Sequence, residues 1–258
     1  MPIVALLEKV YGPFSPETFE PLFSSLCKGL RVKSRVVGKT NRGWIQIEVT
    51  GEDEVAALHF IDRKIGLAPV SLDKLEKFSV IRGKVVFSGK SKSELCVDVG
   101  VFSPETRDAA VPLLRLQAQL ADGKKLPLQR LIELFCLYDN LPLKVKIASD
   151  VDAQWKLVEA ELSEAQLSQI TRWIRSGLDR LLVLGAPLSG VEHAVRASKH
   201  SRDVIKNETL GLLEQSVICK LGTDAVGLIP DLGRLLPDAI LAPFCPRKIQ
   251  QLIDRPFL

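Results

Sequence analysis

The chain of 258 residues predicts an α+β protein in which two split βαβ units flank a five-stranded β-barrel. Three observations carry that expectation. Residues 79–89 and 94–101 are two β-rich runs joined by a short basic loop, as the first hairpin of a small barrel requires. Residues 3–65 read strand, helix, strand, strand, helix. The last hundred residues read β-α-β-β-α-β after a leading helix, the order of a split βαβ unit.

In the first unit, residues 3–10 are a short apolar strand. Ser15 opens a helix: its hydroxyl suits the free amides of a first turn, Pro16 takes the first helical position, and Glu17 favours the positive dipole end. Phe19, Leu22, Phe23 and Leu26 form its apolar stripe, and Gly29 is placed to end it. Residues 30–37 and 44–50 are strands joined through 38–43, and a second helix covers 53–65. This is most of a ferredoxin-like unit. Ala68-Pro69 and the charged stretch 73–77 mark a boundary, dividing the chain into domains 1–75, 76–162 and 163–258.

Along the barrel, apolar side chains fall on a period of two: Val80, Val85 and Phe87, then Leu95, Val97, Val99 and Val101, with Gly83 free to absorb a bend or bulge. A third strand covers 109–114. A helical excursion follows, in which Pro127 starts a helix with Leu128, Leu131, Ile132 and Phe135 on one face. Asp139-Asn140 turns the chain into strands 143–148 and 157–162. Ser163 then caps a helix with the stripe Leu167, Ile170, Ile174 and Leu178. Strand 180–185, helix 191–197, strands 204–210 and 215–221, helix 226–236 and strand 239–244 complete a second ferredoxin-like unit.

Composition narrows the function classes. Hydrophobic residues at 46% and charged residues at 26% are ordinary for a soluble globular protein. The net charge of +4 falls short of a histone-like footprint, so local clustering must carry any nucleic-acid argument. Five cysteines, no two closer than 26 residues, sit in apolar or half-apolar runs, as buried thiols of a reducing compartment do. No Cys-x-x-Cys or paired histidine spacing suggests a metal. The N-terminal run has no basic leader, and no apolar run approaches the length of a bilayer span. The expectation is a cytoplasmic protein with no membrane partner.

The strongest local site is the hairpin 31–50. Side chains alternate along a strand, so Arg31, Lys33 and Arg35 share one face and Val32 and Val36 the other. Ile45, Ile47 and Val49 form the core face of the partner strand, leaving Trp44, Gln46 and Glu48 beside the basic row. Lys39 and Arg42 add charge at the connecting loop. Cations that track phosphates beside an aromatic that stacks a base suit RNA, with stacking contributing roughly 1–3 kcal/mol per base. The plainer reading is a solvated face, with Glu48 pairing an arginine and Trp44 covering the sheet end. On the barrel, Arg82, Lys84, Lys90, Lys92 and Arg107 lie on or beside the first strands, and Lys124, Lys125 and Arg130 on the excursion.

The peptide 219–233 runs through Gly222-Thr-Asp224 into a helix. Its amides and dipole suit an anion with Lys220 nearby, but it lacks phosphate-loop spacing, and Thr223 or Asp224 as a plain N-cap is simpler. His59, His193 and His200 have no nucleophile beside them, and Asp98 and Asp139 are lone carboxylates. No enzymatic activity, cofactor, metal or small-molecule substrate is expected.

Val80-Ile-Arg-Gly-Lys-Val85, Val97-Asp-Val-Gly100 and Ala110-Val-Pro-Leu113 resemble the OB-fold RNA-binding barrel repeated in the large multi-domain ribosomal protein of the small subunit and in translation factors. The departure is in aromatics: Phe87 and Phe102 lie in the right region, and either suits a core. Residues 123–142 and 212–230, with Arg42-Gly-Trp-Ile-Gln-Ile-Glu48, resemble an uncharacterised archaeal family catalogued as a domain of unknown function (number 2110), over the full length. That resemblance implies an archaeal cytosolic protein and transfers no activity or site residue. The expected function is a non-catalytic RNA-binding protein acting in translation, ribosome assembly or RNA processing. It would bind single-stranded or structured RNA, with the ribosome or another ribonucleoprotein as the assembly it joins. The alternative is a protein-docking adaptor on the ribosome or RNA polymerase without direct base contacts.

Overall fold

A computed structural model describes residues 3–149 and 157–253. The chain forms two compact units, one of Met1–Lys74 with Val99–Arg107 and one of Leu75–Asp98 with Asp108–Leu258.

The first unit begins with β1 (Ile3–Lys9). A 3-10 turn, Pro16–Phe19, leads into α1 (Glu20–Leu26), followed by β2 (Val32–Lys39), β3 (Trp44–Gly51) and α2 (Glu54–Lys64). The helix expected from Ser15 divides because Pro21 has no amide to donate, so an α-helix restarts around it. Ser15 makes no cap bond to a helix amide, and its Oγ lies 3.4 Å from Thr18 Oγ1. The sheet is antiparallel in the order β1-β3-β2. After α2 the chain returns beside β1: Leu6 bridges Leu67, the Leu7 amide donates to Gly66 O at 2.9 Å and the Ala68 amide to Ala5 O at 2.8 Å. This short segment occupies the fourth strand position of a split βαβ unit. Phe19 and Phe23 of the first helical segment and Ala57 and Ile61 of the second are buried, as are Val36, Ile45, Ile47 and Val49 of the sheet.

A two-residue β4 (Val70–Ser71) pairs in parallel with the far end of β6 (Glu94–Ser103). Gly100 lies there at φ +81°, and a Cβ on it would come within 2.8 Å of Ala68 Cβ, so this close approach requires glycine.

The barrel consists of β5 (Val80–Val86), β6, β7 (Arg107–Pro112), β8 (Pro142–Ile147) and β9 (Leu157–Leu162), with α3 (Leu113–Leu120) and α4 (Leu128–Phe135) between β7 and β8. The order is β6-β5-β8-β9-β7, and β6 also pairs with β7, which closes the barrel. β7 and β9 run parallel, as in an OB-fold Greek key. Val85, Leu95, Val97, Val99 and Val101 are buried, whereas Val80 and Phe87, at the two ends of β5, are exposed. A Cβ at Gly83 would lie 2.5 Å from Asp98 O, so glycine serves here to let β5 and β6 approach. The third strand is as long as the expected 109–114 but begins and ends two residues earlier. Pro112 interrupts the ladder and α3 starts at Leu113, a change of period that an unbroken apolar run conceals.

The second unit continues with α5 (Glu164–Arg175), capped by Ser163 Oγ accepting the Gln166 amide at 3.2 Å. Next come β10 (Arg180–Leu184), α6 (Leu188–Ala197), β11 (Val204–Thr209), β12 (Glu214–Cys219), α7 (Ala225–Leu235), β13 (Ile240–Phe244) and α8 (Pro246–Ile253). The antiparallel order β11-β12-β10-β13 is a complete ferredoxin-like sheet. Leu181, Val183 and Val217 pack with Val191 and Ala194 of α6 and Leu228 and Leu232 of α7. Trp173 of α5 meets Phe244 edge to face, with centroids 5.4 Å apart. The barrel and its helical excursion share polar contacts with the C-terminal segment in this unit: Lys84 Nζ to Glu214 Oε2 at 2.7 Å, Arg82 Nη2 to Leu210 O at 2.7 Å, and Lys124 Nζ to Leu252 O of α8 at 2.6 Å.

Candidate nucleic-acid interface

Arg31, Lys33, Arg35 and Lys39 are exposed along β2, and Lys33 and Arg35 stand opposite Thr50 and Glu48. Arg31 is committed locally: Nη1 lies 2.6 Å from Glu52 Oε2, and its amide donates to Asp53 Oδ2 at 2.8 Å. Lys28, Lys33 and Arg35 line a groove of about 940 Å³ with Ser24, Ser25 and Thr50, and Glu20 and Glu48 dilute its charge. Arg42 is half-buried. Glu17 is held below the usual carboxylate range mainly by backbone and Ser15 hydrogen bonds, with Lys39 adding a smaller pull.

Trp44 corrects the expectation for this hairpin. It is 1% exposed and packs with Ala5, Leu7 and Ala68, against Phe102, while Lys9 Nζ stands 4.4 Å from its ring centroid. The alternation placed the ring on the face of Gln46 as expected, because Ala5, which pairs with Gln46, shares the cluster. What sequence reasoning missed is that segments distant in the chain roof that face at this end. No stacking surface remains on the ring, and Phe102 is half-buried core for the same reason.

Lys84 and Arg82 correct the expectation for the barrel strand. Gly83, Lys84 and Val85 are all buried, because β5 has the barrel interior on one side and the C-terminal segment on the other. Lys84 pairs with Glu214, and Arg82 donates to Leu210 O, so both cations serve the protein's own packing. Arg107 Nη1 lies 2.7 Å from Glu105 Oε2.

Lys90 and Lys92 do reach the surface, in the turn between β5 and β6. Phe87, 43% exposed, carries Lys90 Nζ at 4.6 Å from its centroid. Asp139 Oδ1 accepts the Ser88 amide at 2.6 Å and fixes that turn. At the other end of β5 lies a residue that sequence reasoning overlooked. Phe78 is 62% exposed, with Lys77 Nζ and Lys146 Nζ each 5.5 Å from its centroid. Its signal was an aromatic closing a charged run, read above only as a boundary.

The 219–233 segment is a helix cap. Asp224 Oδ1 accepts the Val226 amide at 2.9 Å, and Asp179 Oδ2 accepts the Ala225 amide at 3.3 Å, so carboxylates of the chain already serve these α7 amides. Burial, with Asp179 adding, pushes the Cys219 thiol up to about 12 and the Cys245 thiol up to about 11. His200 is held at both ring nitrogens, Nδ1 at 2.9 Å from Asp203 Oδ2 and Nε2 at 3.0 Å from Asp231 Oδ2, which suits a structural clasp. Among the described residues no helix is long and apolar enough to cross a membrane.

A ferredoxin-like sheet in the first unit, and in the second a closed Greek-key barrel followed along the chain by another ferredoxin-like sheet, with exposed lysine–phenylalanine pairs at both ends of β5, define a modular α+β protein. The chain belongs to the DUF2110 family: the DUF2110 N-terminal domain matches residues 3–69 and the DUF2110 C-terminal domain residues 178–242. The matches fall on the N-terminal and C-terminal sheets, and the barrel strands come between them in the chain. No match was found among curated proteins.

Proposed function

We propose that this is a non-catalytic RNA-binding protein of the cytoplasm that takes single-stranded RNA on its barrel and serves translation, ribosome assembly or RNA processing. One observation carries the reading: Phe78 and Phe87 are exposed at opposite ends of β5, each beside lysines that suit phosphates. Process and compartment rest on fold analogy and on five free cysteines.

Salt dependence tests the reading. If Lys77, Lys146, Lys90 and Lys92 neutralise four phosphates, the slope of log affinity against log salt is about −3, a loss of roughly fifty-fold between about 50 and 200 mM. Titration of the full chain with a labelled oligouridylate at both salts measures it. Absence of any shift at the lower salt overturns the proposal.

A protein-docking adaptor on a large assembly is the second reading. It is favoured by the burial of Trp44 and by the internal use of Lys84 and Arg82, which take three expected contacts away from RNA. A partner retained by the full chain after nuclease treatment and at high salt supports it.

A further inference from the structure

We propose that Asp179, Asp224 and Cys245 form a binding site for a divalent metal of the zinc class at one end of the C-terminal sheet. A carboxylate oxygen of each aspartate and the Cys245 Sγ lie within 4.8 Å of one another. The topology explains why residues 45 and 21 positions apart meet. β10 runs antiparallel to both β12 and β13, with Arg180 opposite Ile218 and Phe244, so the start of β10 lies at the ends of its two neighbours. Asp179 precedes β10, Asp224 lies beyond the end of β12, and Cys245 directly follows β13.

The donors are oriented. Asp224 Oδ1 accepts the Val226 amide and Asp179 Oδ2 accepts the Ala225 amide, so both carboxylates are held in place by hydrogen bonds of the kind that fix ligands in metal sites. One sulfur and two carboxylates form a mixed donor set that suits Zn²⁺ better than Mg²⁺ or Ca²⁺. A cleft of about 220 Å³ opens on all three residues, leaving the fourth tetrahedral position to solvent or an added ligand. Lys220, Arg247 and Lys248 line the same cleft, so an anion is the fourth ligand it favours. Cys219, buried at the end of β12, is a second thiol close enough to interact with both aspartates.

Cobalt reports the site. The full-length, reduced, metal-free protein is titrated with Co²⁺, and the expected result is one equivalent per chain with a thiolate-to-cobalt charge-transfer band that Zn²⁺ displaces. Cys245→Ser abolishes the band and Cys219→Ser keeps it. Asp224→Asn retains the helix cap, since asparagine caps as well as aspartate, yet it lowers Co²⁺ affinity by about tenfold or more. Circular dichroism confirms that each variant is folded. The proposal is overturned by a folded wild-type protein with no band at about 1 mM cobalt, by a band that survives Cys245→Ser or is lost in Cys219→Ser, or by unchanged affinity in Asp224→Asn. None of these outcomes depends on RNA binding.

Discussion

Lys84 and Glu214 form an ion pair of 2.7 Å with side chains 1% and 0% exposed, joining the barrel to the C-terminal sheet within one compact unit. Two charges removed from water are expensive, and their mutual attraction repays the cost only while both are present.

Lys84→Met therefore leaves Glu214 as a buried charge without this partner and is expected to destabilise by about 3–5 kcal/mol. The double variant Lys84→Met with Glu214→Leu recovers most of that loss, since an apolar pair of similar volume substitutes well for a buried ion pair. Urea unfolding of the two variants measures the difference. Equal destabilisation of single and double variants would contradict the assignment.

Trp44→Ala is expected to cost about 3–5 kcal/mol, as large-to-small changes in a core do. Removing the cation from over the ring with Lys9→Met costs about 0.5–2 kcal/mol. RNA affinity of the folded Trp44→Ala protein stays at the wild-type value, because the ring presents no face to a ligand. A thermal melt and one titration give both readouts.

Phe78→Ala and Phe87→Ala behave in the opposite way. Each is expected to weaken RNA binding by about 1–3 kcal/mol, with a stability change of no more than about 0.5 kcal/mol at Phe78, which is 62% exposed, and a larger one at Phe87, which is 43% exposed. Phe102→Ala is the control: it loses core packing in the first unit and leaves RNA affinity unchanged. Wild-type RNA affinity in both Phe78 and Phe87 variants would remove the barrel interface.

Lys33→Glu tests whether the hairpin contributes a backbone contact. If it does, affinity falls by a similar factor for every RNA sequence, because a phosphate contact carries no base information. Comparing polyuridylate with polyadenylate oligomers at one salt concentration reads this directly.

Asp231 links stability to pH. The Lys199 hydrogen bond, with His200 adding, holds its carboxyl below the ordinary value near 3.8, so the unfolded chain binds the proton more readily than the folded one. Its contribution is complete above the ordinary value and is lost as pH falls through the lower folded one. Urea midpoints between about pH 5 and pH 2 should therefore decline less steeply in Asp231→Asn than in wild type.

Local signals made most elements legible. The period-two runs located β6, β8 and β9, Ser163 marked the start of α5, and Pro127 marked the start of α4, because alternation and capping act over a few residues. The βαββαβ order of the C-terminal segment likewise follows from element succession alone. Exposure was not legible. Alternation assigns a side chain to a face of its strand, but whether that face meets water depends on segments far away in the chain. Ala68 and Phe102 cover Trp44, and Glu214 reaches Lys84 across 130 positions. The same reason hid Phe78, whose flanking Lys146 comes from β8, and the meeting of Asp179, Asp224 and Cys245, which β10 brings about by lying between β12 and β13. The sequence alone located most strands and helices; tertiary packing decided which charges and rings they leave in water, because burial is set by contacts between elements and not within them.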